Sequence, residues 1–217
     1  FVVTKGEATS VAFQKFVEAN TMDEFAGVKL LCVHAHGPGL FHTKNPVNKL
    51  EDIKGMKIRG GSRIISGMLA DLGAEPVGLP VPAVPEALSK GVIDGTTIPW
   101  EVTPSLKVAE LVHNHTGFSG THGLYTQTFA FTMNLDRYNS LPDDLKAIID
   151  QHSGVETARL FGQAMDYGDG VGLKVAQDLG NNIITLDDAE TARWKDAAKP
   201  AVDRWFADTK AAGIDGE

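Results

Sequence analysis

The sequence predicts an α/β fold in which helices cover a largely parallel sheet. Two observations carry this expectation. Strand and helix signals alternate through nearly the whole chain, and between Met56 and Glu101 strand, helix, strand, helix and strand follow in turn. The 217 residues, 42% hydrophobic and 22% charged, also give enough apolar mass for one large domain or two small ones.

Phe1-Val2-Val3 reads as part of a strand or buried turn already under way. Val11, Phe13, Phe16 and Val17 mark a first helix, and Val28 to Val33 a buried strand. His34 to Lys44 reads as a glycine-proline loop around Gly37-Pro38-Gly39. Leu50 to Gly55 turns into a strand from Met56 to Arg59. Ser62 is placed to cap the next helix with its hydroxyl. That helix repeats apolar residues at Ile65, Met68, Leu69 and Leu72 and stops at Gly73.

Glu75 to Leu79 is a further strand. Pro82 and Pro85 bracket the following helix start, and Gly91 ends that helix. Val92 to Gly95 reads as strand and turn, and Ile98-Pro99-Trp100-Glu101 as the opening of another helix. Phe129, Phe131 and Met133 alternate with Thr128, Ala130 and Thr132, which predicts a strand with unlike faces. Leu145, Ile148 and Ile149 mark a helix with Asp143 and Asp144 in its first turn. A long helix is expected from Val155 to Leu179 despite Gly168, Gly170 and Gly172, then a strand at Ile183-Ile184. Asp187 and Glu190 form a capping-box-like start to the last helix. Trp194, Ala198, Ala201, Val202 and Trp205 stripe that helix, and Pro200 is expected to kink it.

A net charge of -8 gives no broad basic surface, which argues against sequence-independent nucleic-acid binding. No apolar run approaches the ~20 residues needed to span a bilayer, so no direct membrane insertion is expected. The opening FVVTKGEATS lacks the parts of a signal peptide. Its abrupt start predicts a chain whose first part is absent. Cys32 is the single cysteine, so no intrachain disulfide forms; this suits a cytoplasmic protein or an exported one that folds without bridges.

Arg59 lies at the carboxyl end of a parallel-type strand and Arg63 in the first turn of the helix that follows. Ligands of open α/β sheets bind at that end, glycines 60 and 61 allow close approach, and a guanidinium grips a carboxylate through two bonds. The alternative is that both arginines pair with surface acids such as Asp71 or Glu75. Neither a dinucleotide nor a phosphate-loop fingerprint is present. His34 with His36, and His113 with His115, have a spacing that binds metal on a strand, but nothing supplies a third ligand, so no metal and no cofactor are assigned. Cys32, Trp194 and Trp205 are assigned to the core. Trp100, after Pro99, stands either in the core or where a ligand reaches it.

The stretch LEDIKGMKIRGGSRIISGMLADLGAEPVGLPVPAVPEALSKGVIDGTTIPWE resembles the solute-binding subunit of tripartite ATP-independent periplasmic (TRAP) transporters, the DctP-type proteins. The matching residues are Asp52 to Arg59, Leu72 to Val77, and Ala87 to Gly95 with Pro99. Leu124-Tyr125 before a strand, Leu141 to Leu145, and the long helix agree as well. The resemblance covers the chain and about the carboxy-terminal two-thirds of a family member. It implies the periplasmic solute-binding protein fold: two α/β lobes with crossing segments, a long helix, and a first lobe that is incomplete. On this division residues 1–36 are the remainder of lobe I and 37–123 are lobe II. Residues 124–164 return to lobe I, and 165–217 are carboxy-terminal helices on lobe II.

The resemblance also implies the chemistry. It gives periplasmic capture of a small organic acid, delivery to membrane subunits of a TRAP transporter, and no catalysis. The arginine that grips the carboxylate in the family falls on Arg59. Thr97, Ile98, Pro99 and Trp100 are the expected cleft loop, with Gly39 and Phe41 from the upstream loop. Ile98 stands where many relatives have asparagine, Val81 where many have phenylalanine, and Gly39 where sialic-acid-binding relatives have a second arginine. A monocarboxylate with an apolar or small body is therefore expected. The competing readings are an α/β enzyme acting on an organic acid, metal-assisted through the histidine pairs, and an oligomerising scaffold.

Overall fold

The computed structural model describes residues 2–214. Phe1, and residues 215–217 of the expected last segment, lie outside the described residues; Val2 and Val3 are irregular rather than strand.

Helix α1 (Gly6–Asn20) begins where the Asp166 carboxylate accepts from the main-chain N–H groups of Gly6, at 2.6 Å, and Glu7, at 3.1 Å. An anion at that end satisfies two otherwise orphaned donors and opposes the helix dipole. Strand β1 (Val28–Ala35) follows, and then β2 (Leu40–Thr43). Next come β3 (Lys57–Gly60), α2 (Arg63–Asp71), β4 (Glu75–Gly78), α3 (Val84–Ser89) and β5 (Gly95–Ile98). Ser62 caps α2 as expected, its hydroxyl accepting from Ile65 N–H at 3.2 Å. Ile65, Met68 and Leu69 on the inner face of α2 are buried. Each such side chain contributes about 1.5–3 kcal/mol by leaving water. Gly73 closes the helix at φ +95°, a conformation that suits glycine.

The rest of the chain forms α4 (Val108–Leu111), β6 (Asn114–Gly117), β7 (Thr128–Asn134), α5 (Leu135–Asn139) and α6 (Asp143–Gln151), then α7 (Val155–Asp178), β8 (Asn182–Thr185) and α8 (Asp188–Ala211). Asp187 caps α8 by accepting from Glu190 N–H. Glu190 itself turns to Leu50 N–H and the Trp194 indole instead of closing a capping box. Helix α8 runs unbroken across Pro200.

Two sheets result. β1 and β7 pair antiparallel, Val28 opposite Asn134 and Ala35 opposite Thr128. The larger sheet has six strands in the order β4-β3-β5-β2-β6-β8. β3 runs parallel to β4 and β5, and β6 parallel to β8, but β2 is antiparallel to both of its neighbours. The sheet is therefore largely parallel, as expected, with β2 alone running against the other described strands. The unexpected element is β2 itself, which lies inside the segment expected to be a loop. All four of its residues are buried, and the polar His42 and Thr43 conceal it from a hydrophobicity pattern. The strand expected at Val92 is also displaced. Residues 91–94 form a turn after Gly91, at φ +70°, and the strand begins at Gly95.

The main core lies under α2 and α8, with Phe41, Ile58, Leu69 and Trp194 at its centre. Trp205, expected in the core, is exposed and stacks edgewise on Phe206. β7 buries neither face: Phe129 and Phe131 remain 41% and 47% exposed. Among the described residues β7 has one strand neighbour, β1, and Phe131 meets Phe161 of α7. The chain crosses between the two sheets at residues 36–39 and 118–127.

Candidate functional site

A cavity of ≈ 460 Å³ lies beside these crossings. The carboxyl end of β3 supplies Arg59, and Gly61 follows it. Leu79, Pro80 and Val81 come from the loop after β4, and Ile98, Pro99, Glu101 and Val102 from the end of β5. The crossing segments add His36, Tyr125 and Gln127, and β7 adds Phe129. Side chains at the carboxyl ends of neighbouring parallel strands therefore converge on one side, as open α/β sheets place their ligand groups.

Arg59 is only 5% exposed. Its Nε donates to the Leu79 carbonyl oxygen at 3.0 Å. Among the described residues it forms no ion pair, and burial lowers its affinity for a proton from the usual arginine value. The two terminal nitrogens of the fork stay uncommitted, with Nη1 beside Gly61 at a distance that leaves little room for a side chain there. Leaving a guanidinium without a counter-charge in such surroundings is costly, because a buried cation loses its hydration. An incoming carboxylate restores the balance with two charge-assisted bonds.

Arg63 behaves differently. It is 89% exposed in its side chain, with the Asp208 carboxylate at 4.0 Å. Asp71, the partner considered for it, pairs with Arg204 at 2.5 Å.

The expected site residues separate into three groups. Arg59, Ile98 and Pro99 border the cavity. Thr97 and Gly39 stand behind it. The Thr97 hydroxyl donates to the Arg59 carbonyl oxygen at 3.2 Å, and its own carbonyl accepts from the Tyr125 hydroxyl at 2.9 Å. Gly39 donates its N–H to the Tyr125 carbonyl at 2.9 Å, and a Cβ there would strike the Tyr125 ring. Trp100 and Phe41 face elsewhere. Trp100 turns its ring onto His42 and His115, at 5.0 and 4.9 Å between centroids, on the side of a second cavity. Phe41 is withdrawn into the core against Trp194 at 5.3 Å. It points there because alternate residues of β2 face opposite sides of the sheet.

Several lining residues carry no pattern that marks them. Tyr125 and Gln127 lie in an irregular crossing, and Glu101 in a single 3₁₀ turn (Trp100–Val102). Burial pushes the Tyr125 phenol up to about 12, so the ring stays neutral and its hydroxyl remains a donor. The turn is set by α7. Asp169 accepts from Glu101 N–H at 2.8 Å, and Gly172 lies so close to Trp100 that a Cβ there would overlap the Trp100 carbonyl oxygen. The glycines of α7, unexplained by sequence, thus allow backbone contact with the cavity turn.

The rings of three of the paired histidines meet other partners. His34 stacks on Phe129 at 5.1 Å, His36 lies edge-on to Tyr125, and His115 pairs with His42 instead of His113. Among the described residues no group of three or more His, Cys, Asp or Glu is arranged to hold a metal ion. None of the helices there is long and apolar enough to cross a membrane. Cys32 is fully buried, which raises its thiol to about 11 and fits its place in the core.

Residues 2–209 match the family described as bacterial extracellular solute-binding protein, family 7, DctP. A solved TRAP solute-binding protein from Rhodoferax ferrireducens, in complex with copurified benzoate, is similar at 42% identity and a TM-score of 0.96. It is covered to 68%, and this chain to 100%. A marine metagenome TRAP solute-binding protein specific for aromatic acid ligands, crystallised with 3-hydroxybenzoate, is similar at 43% identity and a TM-score of 0.94, over 98% of this chain and 67% of that one. A solute-binding protein of Albidiferax ferrireducens is 28% identical over 84% of this chain and 54% of its own length. The chain spans 54% to 64% of the length of the curated relatives it matches. The match over residues 2–209, together with this fold, establishes that the chain belongs to the DctP family of bacterial extracellular solute-binding proteins.

Proposed function

We propose that the protein captures a small organic acid in the periplasm as its carboxylate and delivers it to the membrane subunits of a TRAP transporter, without chemical change. One observation carries this reading: a guanidinium at the edge of a cavity, 5% exposed and with no ion-pair partner among the described residues. Arg59 is the anchor. Ile98 and Pro99 form the wall beside it, and Thr97 and Gly39 hold Tyr125 and the Arg59 strand in place.

The mostly apolar lining, with Val81, Ile98, Val102 and Phe129, favours an acid with an apolar body. Benzoate and 3-hydroxybenzoate in the two similar structures support an aromatic body. We also take residues 1–36 and 124–164 as parts of one lobe and 37–123 and 165–217 as parts of the other, the cavity lying where they meet. Titration calorimetry with benzoate tests the reading. Saturable binding is expected in the wild type and none in Arg59→Ala; equal binding by both, or binding by neither, removes it.

A further inference from the structure

The cavity that holds Arg59 also offers groups that accept hydrogen bonds. His36 Nδ1 lies 2.6 Å from the Gly37 carbonyl oxygen, a separation that requires a proton on that nitrogen. Burial keeps the His36 ring from gaining a second proton, so its Nε2 retains a lone pair. Glu101 is the stronger acceptor. Its main-chain N–H is given to Asp169, and its Cβ is held against α7 at Gly168. Among the described residues its carboxylate receives no hydrogen bond and forms no ion pair. The site thus combines one cationic fork with a carboxylate that lacks a donor.

We propose that this cavity selects acids carrying a single carboxylate and, elsewhere on the body, a hydroxyl or other hydrogen-bond donor, with Glu101 as the residue that reads the donor. The inference rests on the reading of Arg59 as the carboxylate anchor. With that carboxylate fixed on Arg59, the far side of a small aromatic acid falls among the remaining groups of the same cavity. A donor there satisfies Glu101, whereas a bare ring desolvates it for no return. A second carboxylate meets like charge, which disfavours dicarboxylates by repulsion instead of by size.

Calorimetry on the wild-type chain with benzoate, 3-hydroxybenzoate, 4-hydroxybenzoate and isophthalate separates these effects. At least one hydroxybenzoate is expected to bind about tenfold more tightly than benzoate, and isophthalate to give no measurable heat. Glu101→Leu should lose the hydroxyl advantage, with benzoate bound at least as tightly as by the wild type, since it removes the carboxylate that a bare ring leaves without a donor. Glu101→Gln keeps an acceptor and removes the charge, so isophthalate binding should become measurable. Benzoate bound as well as both hydroxybenzoates, or an advantage that survives in Glu101→Leu, overturns the selectivity and leaves the anchor standing. Failure of all four acids overturns the anchor and the selectivity together. Should Glu101→Leu fail to fold, the wild-type series decides alone.

Discussion

His42 and His115 face each other across β2 and β6 with their Nδ1 atoms 2.7 Å apart. The contact works with one proton between the two rings. His42 Nε2–H points to the Ile98 carbonyl oxygen at 3.2 Å, which leaves His42 Nδ1 as acceptor and makes His115 Nδ1 the donor. Asn181 completes the chain with its amide N–H on His115 Nε2 at 3.0 Å. Both rings are fully buried and neutral. Burial first, then mutual repulsion, takes His42 down to about 3; burial first, then His113, takes His115 to about 4.

Stability should therefore depend on pH in one direction. An unfolded histidine titrates near ~6.5, above both folded values, so acid favours the unfolded chain. The contribution of the pair is complete above pH ~6.5 and falls as pH drops from there toward 4 and 3. Each ring accounts for up to ~1.4 kcal/mol per pH unit. Urea midpoints measured from pH 7 to pH 4.5 should fall steadily, and His42→Gln should show a shallower fall. An unchanged slope in that variant would show that the pair is not the source.

Asp169 has the opposite sign. Burial, then the charges of Glu101 and Asp166, raises its carboxyl to about 7, against an unfolded value near ~3.9. Its contribution is greatest below the unfolded value and is lost as pH rises through 7. Asp169→Asn keeps an acceptor for Glu101 N–H and removes the charge. It should stabilise the fold by ~1–2 kcal/mol at pH 8 and leave it unchanged at pH 4, as read by thermal melts at both values.

Gly170 and Gly172 occupy one helix and should respond oppositely to alanine. A Cβ at Gly170 meets nothing within 4 Å, so Gly170→Ala gains helix propensity, ~0.5–1 kcal/mol. At Gly172 the Cβ overlaps the Trp100 backbone, which has no rotamer to swing aside. Gly172→Ala should cost ~2 kcal/mol or more, comparable to overpacking a core. Equal melting temperatures for the two variants would contradict the close contact.

Arg59→Met should separate binding from stability. The buried cation lacks a counter-charge, so an apolar chain of similar length is expected to raise the melting temperature of the ligand-free protein. The same change should abolish the benzoate-induced shift, which for the wild type amounts to ~2.7 kcal/mol at a hundredfold excess over Kd. Arg63→Ala should leave both quantities alone, since that side chain stands in solvent. A melting temperature that drops sharply in Arg59→Met would mean the guanidinium supports the fold instead.

Local rules read well from sequence where one residue decides the structure. Ser62 as cap and Gly73 as stop follow from hydroxyl chemistry and from positive φ, and both occur. For Arg59, position alone leaves open a surface pair with Asp71 or Glu75, and its role as anchor comes from the resemblance to the DctP-type proteins. Long-range contacts were not legible. The His42–His115 pair joins residues 73 apart, and its strand β2 shows no alternation. Trp100 gave no sign that two histidines would fill the space beneath it. Gly168 and Gly172 looked like defects in a helix because the surface they accommodate is contributed by another part of the chain.

Helix α7 meets α1 at Gly162, where a Cβ would strike Glu7, and meets the Trp100 turn at Gly172, ~15 Å further along its axis. At both places main chain rests on main chain, with no flexible side chain between. One helix thus carries, on bare main chain at both places, the helix that packs on the smaller sheet and the turn that follows Pro99.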